Sequence, residues 1–260
     1  MKRTLPLLTV AIAFTATILF AGDTAPIYVW LFPGAEPPVY DRGSFLALAA
    51  SHLGLALGAL MASATLGISS AILVTRPAGT AFRPIVRSIA TIGQTFPPAA
   101  VLALMVPVLG FGARPTLLAL ILYGLLPIIE NTLAGLESVA ASVRDAAMGM
   151  GLSPRQVLRQ VELPLALPLI LAGLRTALVV GLGTATIGST VGALTLGTPI
   201  IDGLVSNKPN FILQGAIPLA LLAMLVELAF DRIEPSTDRS ANEQPLGYAG
   251  VSPGPQSRGR

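Results

Sequence analysis

The residues of this chain that could do chemistry are few and far apart. Cysteine is absent and histidine occurs once, at His52, which excludes thiol catalysis, disulfides and a histidine–cysteine zinc site. The only lysines are Lys2 and Lys208, and neither follows a glycine-rich loop, so the phosphate cradle of a nucleotide hydrolase is missing. A G-x-S-x-G match, Gly250-Val251-Ser252-Pro253-Gly254, lies in a Ser-, Pro- and Gly-rich tail. A nucleophile elbow needs a strand–turn–helix setting, so the match is read as chance. Four ionisable residues stand inside otherwise apolar stretches: His52, Glu130, Arg175 and Glu227. Such groups pair with one another or face water, because an isolated charge among hydrocarbon is costly. Glu227, four residues before Asp231, is expected to reach the aqueous surface, and Glu130 to lie at an interface. His52 is read as a hydrogen-bonded packing residue. Arg175, roughly 10 Å along a helix from Pro168, must face protein or a water-filled pathway, with a structural ion pair favoured over a solute contact. No metal, cofactor or nucleic-acid site is predicted.

The most informative segment is 137–164, ESVAASVRDAAMGMGLSPRQVLRQVELP, far longer than the two to eight residues that usually join bundled helices. Ser138 is expected to cap a helix over 139–148, with Val139, Val143 and Ala146 or Ala147 on one face. Gly149 and Gly151 end it, since glycine accepts the left-handed conformation at a helix C-terminus. Ser153 then reads as an N-cap, Pro154 as the first helical residue and Gln156 as the capping-box partner. The second helix sets Val157, Leu158 and Val161 against Arg155, Arg159 and Gln160, and is expected to stop before Pro164. Two amphipathic helices about a glycine turn make a docking element, for a partner or for a headgroup surface.

The elements that must carry this loop follow from hydropathy. Hydrophobic residues make up 53% of the 260 and charged residues 11%, against about 25% charged in soluble domains. Mean hydropathy is +0.76. Apolar stretches over 4–22, 43–75, 88–113, 116–136, 168–192 and 211–230 each approach or exceed the about 20 residues a bilayer requires. The predicted fold is all-α and polytopic, with about six transmembrane helices. Alternating sides puts Lys2, Arg3, Arg76, Arg83, Arg87, Arg144, Arg155, Arg159, Arg232, Arg239, Arg258 and Arg260 on one side. Arg42, Arg114 and Lys208 fall on the other. The positive-inside rule makes the richer side cytoplasmic, and both termini with it. Lys2-Arg3 before an apolar run also fits a secretory leader. No small-x-small cleavage site precedes Asp23, which favours a retained helix; cleavage would leave five helices in the same orientation. The chain divides into 1–43, a helix with an external segment whose Tyr28, Trp30 and Tyr40 suit an interfacial belt; 44–232, the membrane core; and 233–260, a tail without apolar period that reads as disordered. Gly54-x-x-x-Gly58 and Gly188-x-x-x-Gly192 suit close helix approach and are read as general packing. Pro97, Pro98, Pro107, Pro127, Pro168 and Pro218 fall inside the spans, tolerable where neighbours satisfy the freed backbone groups.

On these residues the loop resembles the signature of permease subunits of bacterial ABC importers: Glu-Ala-Ala, three residues, Gly, nine residues, Ile, any residue, Leu-Pro. Its positions here are Asp145-Ala146-Ala147, Gly151, Val161 and Leu163-Pro164, with Asp145 in place of Glu and Val161 in place of Ile. Gly93-Gln94-Thr95-Phe96-Pro97-Pro98, Tyr123-Gly124-Leu125-Leu126-Pro127, Asn131-Thr132-Leu133-Ala134-Gly135 and Ala172-Gly173-Leu174-Arg175-Thr176 are similar to the glycine betaine, choline and osmoprotectant branch, over about 44–232. The resemblance implies a type I importer permease core (MetI-like) in a bacterial inner membrane, without enzymatic activity of its own. The loop would seat on cytoplasmic ATP-binding subunits. A second permease chain, the same or different, membrane lipid, and a periplasmic or extracellular substrate-binding protein would complete the system. The implied solute is glycine betaine or choline; an amino acid or another small polar solute is the alternative. A lone secondary transporter would need coupling-ion residues and usually internal repeats, and a membrane enzyme convergent ionisable groups; the sequence has none of these. Reporter fusions after Arg87 and Arg159 should read cytoplasmic and one after Lys208 external; an external signal after Arg159 would end the six-helix topology.

Overall fold

The structure, a computed structural model, describes residues 4–233, and among them every regular element is helical. The tail from 234 onward and Lys2-Arg3 lie outside the described residues. Four helices are long and apolar enough to cross a bilayer: α3 (Phe45–Val74), α6 (Ala113–Glu137), a continuous rod over Pro154–Val191, and α11 (Pro209–Ile233). Two bent pairs bring the total to as many as six spans. The first is α1 (Thr4–Leu19) with α2 (Ala25–Leu31), at 86°. The second is α4 (Arg83–Thr95) with α5 (Pro98–Leu109), at 96°.

The second bend corrects the expectation of one straight helix over the third apolar stretch. Phe96 and Pro97 are both extended, with ψ near 137° and 138°, because a residue that precedes proline is pushed out of the helical region. Two successive prolines also remove two backbone donors. Elsewhere proline sits inside a helix without ending it, at Pro107, Pro127, Pro168 and Pro218. Pro127 shows how. Its missing N–H leaves the Tyr123 carbonyl unclaimed within α6, and the Gln94 side-chain amide of α4 donates to that oxygen at 2.6 Å. A neighbouring helix thus satisfies the group that proline released.

The centre of the bundle is the antiparallel pair of α6 and α9 (Leu163–Ile187), with α3 packed across both. Small residues line this seam. A Cβ at Gly173 would lie 2.8 Å from both the Asn131 Cβ and the Pro127 carbonyl oxygen, and one at Gly135 would lie 2.9 Å from the Ala166 carbonyl oxygen. Apolar lipid offers helices little hydrophobic reason to associate, so such close backbone approach supplies the dispersion contacts instead. Gly188, of the second spaced glycine pair, packs on Thr116 by the same logic, whereas Gly54 has no neighbour within 4 Å and Gly58 only the Leu117 side chain at 3.8 Å.

At the end where α3 begins, residues 36–42 form a strap across α10 (Gly197–Val205) and α11. Lys208 Nζ donates to the Glu36 carbonyl at 2.6 Å, Asn210 Nδ2 to the Pro37 and Pro38 carbonyls at 3.0 Å, and Gln214 Nε2 to Pro38 at 2.8 Å. The Tyr40 amide donates back to Gln214 Oε1 at 2.8 Å, and its hydroxyl to Asp202 Oδ2 at 3.0 Å. Burial and the Asp202 carboxylate push the Tyr40 pKa up to about 12, so it stays a donor. Tyr40 and Tyr28 are buried against protein, which removes them from the expected interfacial belt, whereas Trp30 is 80% exposed. The strap carries Arg42 against Asp202, at the opposite end of α3 from Arg76.

The seam gives a direct test. Gly173→Val drives a branched side chain into Asn131 and the Pro127 carbonyl, and should cost about 1–3 kcal/mol by overpacking, read as a lower unfolding temperature of the purified protein in detergent. Gly54→Ala, which meets nothing, should leave that temperature unchanged.

Candidate functional site

The loop between α6 and α9 begins where α6 ends. Ser138 does not cap the next helix, as expected from sequence; its hydroxyl donates back to the Gly135 carbonyl at 2.8 Å, the habitual use of serine at a helix C-terminus, where carbonyls lack partners. The chain then turns through Ala140, which is extended with ψ 141°, and α7 (Ala141–Gly149) starts there. Its end follows the glycine reasoning closely. Gly151 has φ +88°, the Leu152 amide donates to Ala147 at 3.2 Å, and the Gly151 amide donates to Met148 at 2.9 Å. These are the 6→1 and 5→2 bonds of a Schellman motif with Gly151 in the left-handed position. Gly149 sits inside the helix and takes no positive φ.

Beyond the turn, Pro154 opens α8 (Pro154–Val157), and the Ser153 amide donates to Gln156 Oε1 at 2.8 Å, as the capping-box reading required. The helix does not stop before Pro164. It passes through a π turn, Leu158–Glu162, into α9, with the Leu163 amide bonded to the Leu158 carbonyl, five residues back. A π turn widens the backbone. That room lets Pro164 lie within the first turn of α9, where its missing N–H and its ring would otherwise break the ladder. The second loop helix and the fifth span are therefore one rod of 38 residues.

Exposure sorts the loop residues into two sets. Val139, Ala147 and Val157 are buried and hold the loop to the bundle, while Asp145, Ala146, Met148 and Met150 are exposed. Val143, expected on the buried face, is 41% exposed. Gly151 is open, with no atom within 4 Å of a Cβ placed there. Val161 and Leu163 are half-buried and Pro164 is exposed. The structure thus gathers Asp145, Ala146 and Gly151 on an exposed projection, and sets Val161, Leu163 and Pro164 in the joint behind it.

Sequence reasoning missed the centre of that joint. Glu162 sits in the π turn with only 3% of its surface exposed. Its carboxylate pairs with Arg76, just past the end of α3, at 2.7 Å, and with Arg144 of α7 at 3.4 Å. Arg144 also donates to the Val139 carbonyl at 2.6 Å and the Leu136 carbonyl at 3.3 Å. Removing one member of a buried ion pair typically costs about 3–5 kcal/mol, because it strands the other charge. The signal was present as an acidic residue directly before Leu163-Pro164, in a segment otherwise rich in arginine. Further pairs tie α4 to α6: Arg87 to Glu130 at 2.8 Å, and Arg83 to Glu137.

Arg175 meets the expectation of an ion pair, and its partner is the partly exposed Glu227. Arg175 Nε donates to Glu227 Oε2 at 2.6 Å and Nη1 to Asp231 Oδ1 at 2.8 Å, joining α9 to the last turns of α11. His52 is fully buried and packs against the Leu182 backbone of α9. Among the described residues no group of three or more His, Asp or Glu side chains could hold a metal ion.

Residues 54–239 match the family described as binding-protein-dependent transport system inner membrane component. The osmoprotectant import permease protein OsmY of Salmonella typhimurium is 39% identical over 83% of this chain and 90% of its own. The glycine betaine/carnitine/choline transport system permease protein OpuCD of Bacillus subtilis is 41% identical over 70% of this chain and 80% of its own. In fold, the chain is similar to a chain of the inward-facing MetNI methionine ABC transporter, with TM-score 0.64 and 23% identity over 72% of this chain and 93% of that one.

Proposed function

The chain belongs to the binding-protein-dependent transport system inner membrane components, membrane-spanning transport proteins and not enzymes, and from that premise we propose that it is the permease subunit of an ABC importer for a quaternary ammonium osmoprotectant such as glycine betaine or choline. The observation that carries the reading is the loop: an exposed α7 bearing Asp145 and Ala146, ended by a left-handed Gly151 and joined rigidly to a transmembrane rod. This is a knob that fits a groove in a cytoplasmic ATP-binding subunit. The absence of any phosphate-binding loop in this chain agrees, because the nucleotide must then be hydrolysed elsewhere. The osmoprotectant assignment is supported by the names of relatives at 39% and 41% identity.

In this reading the chain pairs with a second permease, identical or different, around a central pathway. The strap end, with residues 36–42 and α10, faces a substrate-binding protein outside the cell, and the loop end faces the cytoplasm, as do both termini. The domain division follows: an N-terminal unit of 1–43, a transport core of 44–232 with the coupling loop at 137–164, and a cytoplasmic tail of 233–260. ATP-bound ATPase dimers make different contacts with the two states of the pair, and that difference shifts the population from inward- to outward-open. Val161, Leu163 and Pro164 hold the loop, whereas Arg175 serves as a structural pair.

Two measurements test this. Gly151→Val has room for its side chain but not for its φ of +88°, and should cost about 1–3 kcal/mol of backbone strain. Uptake and stimulated ATP hydrolysis should fall together while binding-protein capture persists, and Gly151→Asn should keep more of both, since asparagine tolerates the left-handed region. Normal uptake and full ATPase association in Gly151→Val would remove the loop from coupling. Second, cells without other uptake routes should accumulate labelled glycine betaine or choline only when this chain, its ATPase and its binding protein are all present. Uptake of an amino acid with no response to either compound would sink the osmoprotectant assignment.

A further inference from the structure

The loop helix α7 packs mainly on α8 and the π turn, which lead directly into α9. One buried carboxylate occupies the crossing. Glu162 pairs with Arg144 on α7 and with Arg76 at the end of α3, and the turn that holds it continues directly into α9. Arg144 adds a second attachment, donating to Leu136 at the end of α6 and to Val139 beyond it. Glu162 and its two arginines thus tie α7 and the end of α3 to the rod, and Arg144 carries the connection on to the end of α6. The same turn carries the five-residue backbone bond, a local departure from α-geometry often found where a helix does work.

We propose that Glu162 is the transmission joint of this subunit: it makes α7, α3 and α9 move as one body, so that displacement of the loop by the ATPase becomes displacement of the transmembrane helices. Glu162 touches neither solute nor nucleotide and is a positioning residue. The proposal rests on the reading that the loop docks an ATPase, and it goes further in saying where the motion is handed on. Without the carboxylate, the exposed docking face of α7 should stay intact, because Asp145, Ala146, Met148 and Met150 are solvent-exposed and none of them pairs with Glu162. The ATPase should bind and turn over, but its motion should be lost between α7 and the rod.

The experiment reconstitutes the full transporter in proteoliposomes with the unsubstituted chain or Glu162→Gln, and measures co-purified ATPase, ATP hydrolysis, and uptake of glycine betaine and of choline. Glu162→Gln should retain its ATPase and hydrolyse within about twofold of the unsubstituted transporter. Solute moved per ATP should fall about tenfold, with maximal uptake reduced and the external KM unchanged, as expected when an interaction acts only in the moving step. Parallel loss of uptake and hydrolysis at a constant ratio, or an unchanged ratio, overturns the joint. The ratio is independent of how much protein folds, so a merely structural role would not move it. If Glu162→Gln cannot be recovered from membranes, Arg76→Gln decides: it removes one arm of the pair from a partly exposed arginine and should also lower the ratio, and a preserved ratio overturns the proposal. Failure of the unsubstituted chain to hold any ATPase is a different result, and overturns the docking reading on which the joint depends.

Discussion

Close backbone contact between α6 and α9 is the constraint from which the rest of the structure hangs. In lipid, burying apolar side chains between helices gains little, so helices that must stay together need small residues at their contact. Gly135 against Ala166 and Gly173 against Pro127 and Asn131 provide it. The two helices are antiparallel, and the long loop between them therefore emerges at one end of a closely packed pair. A projection anchored on such a pair can transmit force. The same projection on the bent α4–α5 pair would be spent on flexing the hinge at Phe96-Pro97.

Charge is organised around this pair by the cost of leaving it unpaired. Every ionisable group in the apolar stretches, apart from the packed His52, has a partner across a helix–helix contact: Arg87 with Glu130, Arg175 with Glu227 and Asp231. The pairs with Glu162, Glu137 and Glu130 gather toward the loop end, where α3 and α6 finish. At 30 residues, α3 is about 45 Å long, longer than a hydrocarbon core of about 30 Å. Arg76 stays partly exposed beside the buried Glu162 and keeps part of its hydration, which lowers the desolvation cost that a fully sunken pair would carry.

The sequence made much of this legible. Hydropathy marks the long apolar helices, four to six spans in the structure, and the loop's caps are legible at Ser153, Pro154 and Gly151, because these depend on local backbone geometry that a few residue types satisfy. What escaped depends on tertiary context. Ser138 is a good N-cap in isolation, but α6 ends first and claims its hydroxyl. Pro164 is a helix stop by propensity, yet a π turn makes room for it. Pro97 and Pro98 are each tolerable inside a span, but together they leave two carbonyls without donors, more than one neighbour such as Gln94 can repair. Arg175 and Glu227 meet across 52 residues of sequence, a contact that neither residue's own surroundings announce. The role of Glu162 was hidden for the same reason: its two arginines come from α7 and from the end of α3.

The rod over Pro154–Val191 shows why the π turn matters more than the cap that precedes it. At 1.5 Å per residue the rod is about 57 Å long, enough to reach from beyond one face of a bilayer to the other. α11 ends beside Arg175, near the rod's midpoint, so the half from Pro154 to Leu174 runs past it toward the loop with only α6, α3 and the ion pairs to steady it. A uniform helix held at its far end would tilt about its own contacts when pushed at its tip. A rod pinned at Glu162, 12 Å or so from its start, and again at Arg175, is held at two points on different neighbours. If α7 docks an ATPase as proposed, a push on it would be shared between these two points and so between α3, α9 and α11, not absorbed by the tip alone.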